Sequence, residues 1–161
     1  MPYTTETPLH QYDPAHSAAA LRQILAHRTP ALRLLTEADA AAIVTTRWSR
    51  KEVLGHLIDS AGNNLQRFVR LQLQPSLELP GYEPDGWVRV QHHTARPWPE
   101  LVALWSALNE HLAHVIQNVD RAALGRIWNH DGELLTLAFI IEDYVGHIEY
   151  HMRQIFREAT R

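Results

Sequence analysis

The chain has 161 residues, of which 45% are hydrophobic and 20% are charged, and a formal net charge of −3. These values predict one globular domain spanning residues 1–161. The absence of cysteine excludes disulfides and thiolate metal sites, and the absence of a basic stripe argues against nucleic-acid binding. No secretory signal opens the chain and no apolar run reaches the roughly 20 residues of a membrane span, so we expect a cytoplasmic protein without membrane contact.

The N-terminal part is predicted to form an arm, a helix and a short helical turn. Residues 1–12 show no periodicity and are interpreted as an arm. Asp13 as N-cap followed by Pro14 marks the start of the first helix, because proline suits the first helical position. Pro30 should end or kink this helix, since it lacks a backbone donor. Thr36 is expected to open a short helical turn.

A second helix is predicted from its start and stop residues. Ser49 and Glu52 are three apart and indicate a capping box. Apolar residues then recur at helical spacing to about Gln74, and Pro75 stops the helix. The connection over residues 75–97 is long, which is typical of a functional loop, and its aromatic residues suggest that it packs against the domain.

Two further helices complete the predicted fold. The third begins near Trp98, residues 130–133 are interpreted as a loop, and Thr136 is expected to cap the fourth helix, which runs to about Glu158. No segment alternates with a period of two, so we expect no sheet. Four amphipathic helices with a long crossover between the second and third predict an all-α four-helix bundle.

The last predicted helix carries two histidines one turn apart. His147 and His151 lie four residues apart at the edge of the apolar stripe, so their side chains share one side of the helix. Two imidazoles so placed can bind one metal ion. With eleven histidines in the chain, the pair alone leaves a purely structural role open.

The second predicted helix carries His56 outside its apolar stripe, beside Ser60, Asn63 and Arg67. This polar strip is compatible with a solvated face and with the lining of a cleft, and the spacing does not distinguish them. The adjacent residues His92-His93 point to opposite sides and are expected on a loop surface.

Three stretches, in this order, carry a resemblance to a known family. They are Trp48–Ser60, with Ser49, Glu52, Gly55 and His56; Asn63-Asn64-x-x-Arg67-Phe68 followed by Tyr82 and Trp87; and Asp143-Tyr144-x-x-His147-x-x-x-His151-x-x-x-Ile155. Together they resemble the DinB superfamily and its YfiT-like branch of metal-dependent hydrolases. The resemblance spans residues 48–156.

The resemblance implies a four-helix bundle with one divalent metal held by His56, His147 and His151. Nitrogen ligands of this kind suit zinc, nickel, iron or manganese. The last helix of YfiT-like proteins is often richer in histidine than this one, where Tyr150 and Gln154 stand at two such positions. The groups that orient the ligands are therefore expected to differ.

Residues around the implied ligands are candidates for supporting roles. Metal-bound histidines usually donate their other ring nitrogen to a carboxylate or carbonyl, and Asp59 and Asp143 are three or four residues from a ligand. No catalytic residue is identified, and Asp59 is the one candidate general base. The candidate pocket residues are Asn63, Arg67, Tyr82, Trp87 and Tyr144.

Three functions are compatible with such a protein. The first is a metal-dependent hydrolase that uses a metal-bound water, since a metal held by three neutral imidazoles lowers the pKa of water from about 15.7 towards about 7. The second is a metal-dependent thiol S-transferase that activates a low-molecular-weight thiol. The third is a non-catalytic, stress-related bundle protein. The expected partners are a small-molecule substrate and a second copy of the chain in a homodimer.

Overall fold

Four long helices form a bundle in the computed structural model of the protein, which describes residues 8–157. The α-helices are α1 (Pro14–Arg33), α2 (Glu37–Ala41), α3 (Arg50–Leu73), α4 (Pro84–Val90), α5 (Trp98–Gln117) and α6 (Leu137–Phe156), and single 3-10 turns span Leu9–Gln11, His93–Ala95 and Arg121–Ala123. Helix α1 packs against α5 and α6, and α3 packs against the same two, which confirms the four-helix bundle. None of these helices combines the length and apolar content that crossing a membrane requires.

Side-chain caps mark the starts of α2, α3 and α6, as predicted. The backbone N–H of Ser49 donates to Oε2 of Glu52 at 2.8 Å, and the N–H of Glu52 donates to Oγ of Ser49 at 3.4 Å. A second capping box starts α2 at Thr36. The hydroxyl of Thr136 accepts from the N–H of Phe139 at 3.1 Å at the start of α6. Each cap satisfies backbone donors that the first turn leaves free.

Helix α1 continues through Pro30 to Arg33, so the predicted end at the proline is wrong, and the kink given as its alternative stays a prediction. Proline removes one backbone hydrogen bond, and tertiary contacts compensate for that loss. Leu32 is fully buried, and its carbonyl accepts a hydrogen bond of 2.8 Å from Nε1 of Trp98. The last turn of α1 is thus held by α5.

The predicted absence of a sheet is wrong, because three short strands form one. They are β1 (Ser76–Glu78), β2 (Ile127–His130) and β3 (Glu133–Thr136) in the order β1-β2-β3, with β1 parallel to β2 and β2 antiparallel to β3. The expected loop at residues 130–133 is a hairpin turn, in which Asp131 and Gly132 have φ of 53° and 96°. Strands of three or four residues are too short to display alternation, although an Asp-Gly pair is a recognised hairpin signal.

The crossover between α3 and α5 packs against the N-terminal half of α3. His93 is only 3% exposed, so its expected position on a loop surface is wrong. Its ring fills the space beside Gly55, where a Cβ atom would lie 2.3 Å from the Cδ2 atom of His93. Nζ of Lys51 donates to the carbonyl of Arg96 at 2.8 Å. These contacts hold residues 75–97 close to the cluster of histidines described below.

The end of the predicted N-terminal arm packs against the bundle. Tyr12 is 5% exposed, and its hydroxyl lies 3.0 Å from Oγ of Ser17 on α1. Residues 1–7 of the arm and the predicted end of the last helix near Glu158 lie outside the described residues.

Candidate metal centre

Three histidines from two helices meet inside the bundle. His56 lies on α3, and His147 and His151 lie one turn apart on α6, which packs against α3. Each histidine has one ring nitrogen that lies within 4.8 Å of a ring nitrogen of each of the other two. Nε2 of His56 and Nε2 of His147 are 3.1 Å apart. Two nitrogens bound to one Zn²⁺ at about 2.0–2.1 Å with tetrahedral angles are about 3.3 Å apart, so this spacing fits a shared ion.

Burial keeps these imidazoles uncharged. His56 and His151 are buried and His147 is half-buried. Burial, with the nearby histidines adding to it, lowers the pKa of His56 to about 3 and that of His147 to about 4. Burial also lowers the pKa of His151, although its hydrogen bond to Gln154 opposes the shift. Neutral imidazoles retain the lone pairs that a metal requires.

A hydrogen bond to Gln154 orients His151. Nδ1 of His151 lies 2.8 Å from Oε1 of Gln154. Because an amide oxygen can only accept, Nδ1 carries the proton and Nε2 keeps its lone pair. The ring of Tyr150 packs edge-on against His151 with 5.0 Å between centroids. Gln154 is thus a supporting residue that sequence reasoning marked only as a departure from the family.

His56 is positioned by packing and by its helix. The ring of Trp48 lies 5.1 Å from it between centroids, and Nδ1 of His56 is buried without a hydrogen-bond partner among residues 8–157. The expected contact with Asp59 is not formed. Oδ1 of Asp59 instead accepts from Nε2 of Gln91 at 2.6 Å and lies 3.5 Å from Nε2 of His93. Asp59 therefore faces the crossover.

Asp143, the second candidate carboxylate, lines a cavity beside His147. No hydrogen bond joins it to that histidine in the part of the chain that the structure describes. Asp143 is exposed by surface area, but partial loss of hydration raises its pKa above its ordinary value, against the effect of the nearby Arg67. A carboxyl group with a raised pKa is suited to proton transfer.

The cavity has a volume of about 160 Å³ and mixed polar and apolar walls. Its lining residues are Ser60, Asn64, Arg67, Tyr82, Trp128, Leu135, Ile140, Asp143, Tyr144 and His147. Of the predicted pocket residues, Arg67, Tyr82 and Tyr144 line it. Asn63 does not line the cavity, and its Nδ2 donates to the carbonyl of Asp59 at 2.9 Å. Trp87 is not among the lining residues, and its ring packs at an angle of 53° against that of Tyr82, with 5.0 Å between centroids.

Sequence reasoning missed several lining residues. The sequence placed Ser60 in the polar strip beside His56 but did not name it as a pocket residue, and it missed Asn64, four residues further along α3. Trp128 and Leu135 come from β2 and β3, which no periodicity predicted. A larger groove of about 400 Å³ between α1 and α6 contains none of the three clustered histidines.

The donor set defines which metals the site could hold. Three neutral imidazoles without a thiolate or carboxylate ligand suit borderline ions such as zinc, nickel or iron, and they leave the double charge of the ion uncompensated. Three protein ligands also leave coordination positions for water or substrate, as in catalytic metal sites. The residues present therefore fit a divalent transition metal.

Comparisons with known proteins agree with this fold. The structure is similar to YfiT from Bacillus subtilis, described as a probable metal-dependent hydrolase with an unusual four-helix bundle topology, with a TM-score of 0.77 and 18% identity over 98% of this chain and 90% of that one. It is also similar to the mycothiol-dependent maleylpyruvate isomerase, with a TM-score of 0.77 and 12% identity over 96% of this chain and 65% of that one. No curated protein matches the sequence significantly.

Identities this low show a shared fold and nothing finer. The sequence itself matches the model of the DinB superfamily over residues 5–155, which is nearly the whole chain. This chain therefore belongs to the DinB superfamily.

Proposed function

We propose that this protein is a metal-dependent hydrolase with one divalent transition metal bound by His56, His147 and His151. The observation that carries the proposal is the meeting of three uncharged imidazoles, two buried and one half-buried, of which the half-buried His147 lines a cavity. His147 belongs both to the cluster and to the cavity lining, so a small molecule in the cavity would reach the metal. The fold shared with YfiT supports the same reading.

The residues around the cluster have distinct proposed roles. A divalent ion in this position would polarise a substrate carbonyl and lower the pKa of coordinated water. Gln154 keeps Nε2 of His151 free of a proton through the hydrogen bond to Nδ1. Trp48 packs on His56 and excludes water from one side of the cluster.

We assign Asp143 as the proton acceptor in place of Asp59. Asp143 lines the same cavity as His147, and partial loss of hydration raises its pKa, which makes it a stronger base than a fully hydrated carboxylate. Asp59 is occupied by Gln91 and faces His93. The Asp143→Asn variant should keep its metal and lose about a hundredfold or more in kcat.

The proposal is tested by metal content and by turnover. The full-length protein, purified without a histidine tag, is expected to contain about one equivalent of transition metal and to hydrolyse members of a panel of activated esters and amides. The His56→Ala and His147→Ala variants should lose both metal and activity while circular dichroism shows intact helices. His16→Ala, at an exposed position of α1, is the control. Wild type that stays metal-free after reconstitution would overturn the proposal and favour a non-catalytic, stress-related bundle.

A thiol S-transferase is the second candidate, and the fold shared with a mycothiol-dependent enzyme favours it. A divalent metal stabilises a thiolate as readily as a hydroxide. Transfer of a low-molecular-weight thiol to an electrophile, with no ester or amide hydrolysis in the absence of thiol, would favour this function. Hydrolysis at the same rate with and without thiol would favour the first candidate.

Two further proposals rest on the sequence. A homodimer through exposed helix faces should appear in light scattering as twice the mass of the chain. A cytoplasmic location should appear in cell fractionation as recovery in the soluble cytosolic fraction.

A further inference from the structure

Arg67 carries a buried charge without a direct ion pair among residues 8–157, although the carboxylate of Asp143 lines the same cavity. It is 7% exposed, and among residues 8–157 no carboxylate forms an ion pair with its guanidinium. Its one hydrogen bond runs from Nη1 to Oδ1 of Asn64 at 3.2 Å, while Nε is buried without an acceptor in the described part of the chain. Burying an unpaired charge is costly, so such a group needs an anionic partner.

The guanidinium is held in place before any partner arrives. Its Cζ atom lies 3.8 Å from the ring centroid of Trp128, whose Nε1 donates to the carbonyl of Leu79 at 2.8 Å. Asn64 is fixed in turn, since its Nδ2 donates to the carbonyl of Ser60 at 3.0 Å. One face of the guanidinium is covered by the indole, which leaves its edge for a ligand. A donor fixed this way loses little entropy on binding.

Arg67 and His147 line the same cavity. Arg67 follows His56 on α3 by eleven residues, or roughly 16 Å along the helix axis, and long side chains on a helix point back towards its N-terminus. The guanidinium therefore reaches from the far end of the cavity towards the histidines. Leu135 and Ile140 give the same cavity an apolar wall.

We propose that this cavity binds an organic carboxylate, with the carboxylate on Arg67 and the rest of the molecule extending towards His147. The inference names the substrate class of the proposed active site. It rests on the proposed function for the statement that the reacting group of the substrate points towards His147. The planar edge of a guanidinium matches the two oxygens of a carboxylate. The small volume and apolar wall suit a short carbon chain, and a phosphate dianion would bring more charge than one guanidinium beside Asp143 can balance.

The test is a titration of the full-length protein with propionate, followed by NMR at the indole N–H of Trp128. Propionamide has the same shape without the charge, and inorganic phosphate has charge without the carbon chain. Propionate should bind at least about tenfold more tightly than either, because it alone combines a charge-assisted hydrogen bond with a carbon chain that packs against the apolar wall. Phosphate binding as tight as propionate would overturn the proposal.

Two neighbouring asparagines give a matched pair of variants. Asn64→Asp places a carboxylate against Arg67 and should weaken propionate binding at least about tenfold. Asn63→Asp makes the same charge change on the same helix, at a residue whose amide also bonds to its own helix, and should leave binding within about twofold. Equal effects of the two variants would overturn the proposal.

A third variant tests the role of Arg67 without adding a charge, and removal of the metal controls for propionate that binds to a metal ion. Arg67→Met removes the charge and keeps much of the side-chain volume, so propionate binding should fall as in Asn64→Asp. The titration is run on metal-loaded and chelator-treated protein. Propionate binding that survives Arg67→Met in the chelator-treated form would overturn the proposal. Binding lost in Arg67→Met but kept in the metal-free His147→Ala variant would support it even where the hydrolase proposal fails.

Discussion

Nδ1 of His151 and Oε1 of Gln154 are joined by a hydrogen bond of 2.8 Å across one turn of α6. The bond fixes the tautomer and the ring orientation of a candidate ligand. A residue that forms a hydrogen bond to a metal ligand typically contributes 10–100-fold to metal affinity. We therefore expect Gln154→Leu to weaken metal binding by about that factor, measured by competition with a chromogenic chelator.

Two variants control that experiment. Gln154→Glu keeps an acceptor and adds negative charge, so its metal affinity should equal or exceed that of the wild type. Gln117→Leu makes the same change at an exposed position of α5 and should have no effect. Unchanged affinity in Gln154→Leu would show that His151 is oriented by packing alone.

The metal-free protein should lose stability as the pH falls below about 6.5. Folded His56 and His147 have a pKa of about 3 and about 4, whereas histidine in an unfolded chain titrates near 6.5. Between these values the unfolded chain binds protons that the folded chain does not. The free energy of unfolding should therefore rise with pH by up to about 1.4 kcal/mol per unit for each proton and level off above about pH 6.5.

Urea denaturation of chelator-treated protein between about pH 5 and pH 8 measures this dependence. His147→Leu removes one of the two groups and should reduce the slope, while His16→Leu, at an exposed site, should preserve it. A stability that stays constant from pH 5 to pH 6.5 in the wild type would contradict the presence of neutral, desolvated histidines in the folded chain.

Features set by neighbouring residues could be predicted from the sequence. The caps at Ser49 and Thr136 depend on residues three positions away, and both helices begin where these signals indicate. The sheet pairs residues such as Ser76 and Ile127, about fifty positions apart, so no local pattern indicates it. Pro30 locally favours the end of a helix, but α1 continues to Arg33, and its last turn is held by the hydrogen bond from Trp98 to Leu32.

The same distinction applies to the candidate site. The spacing of His147 and His151 predicts a pair on one side of a helix, whereas the approach of His56 depends on how α3 packs against α6. Asp59 lies within reach of His56 by spacing, but the crossover brings Gln91 and His93 to it instead. Where a side chain has two potential partners, the tertiary packing determines which of them it contacts.

Two glycines of α3 should respond oppositely to alanine. At Gly55 a Cβ atom would lie 2.3 Å from the buried ring of His93, so Gly55→Ala must displace the crossover and should cost about 1–3 kcal/mol. At Gly62 nothing lies within 4 Å, and Gly62→Ala should stabilise the helix by about 0.5–1 kcal/mol. Urea denaturation of both variants measures the difference. Equal changes in the two would mean that His93 moves away without cost.

Tyr144 should be required for stability, although it also lines the cavity. Its hydroxyl donates to Oδ1 of Asn109 at 2.5 Å, and both residues are almost completely buried. Tyr144→Phe leaves that oxygen without a donor and should cost about 1–3 kcal/mol of unfolding free energy. Tyr150→Phe, at a residue 49% exposed, should cost nothing measurable and is the control.

A double variant separates the hydrogen bond from the cavity. Replacing both partners by apolar residues removes the unsatisfied oxygen, so Tyr144→Phe with Asn109→Leu should be more stable than Tyr144→Phe alone. The metal content of all these variants should match the wild type, because neither residue is among the clustered histidines. Loss of metal in a folded Tyr144→Phe protein would instead show that the hydroxyl supports the metal centre directly.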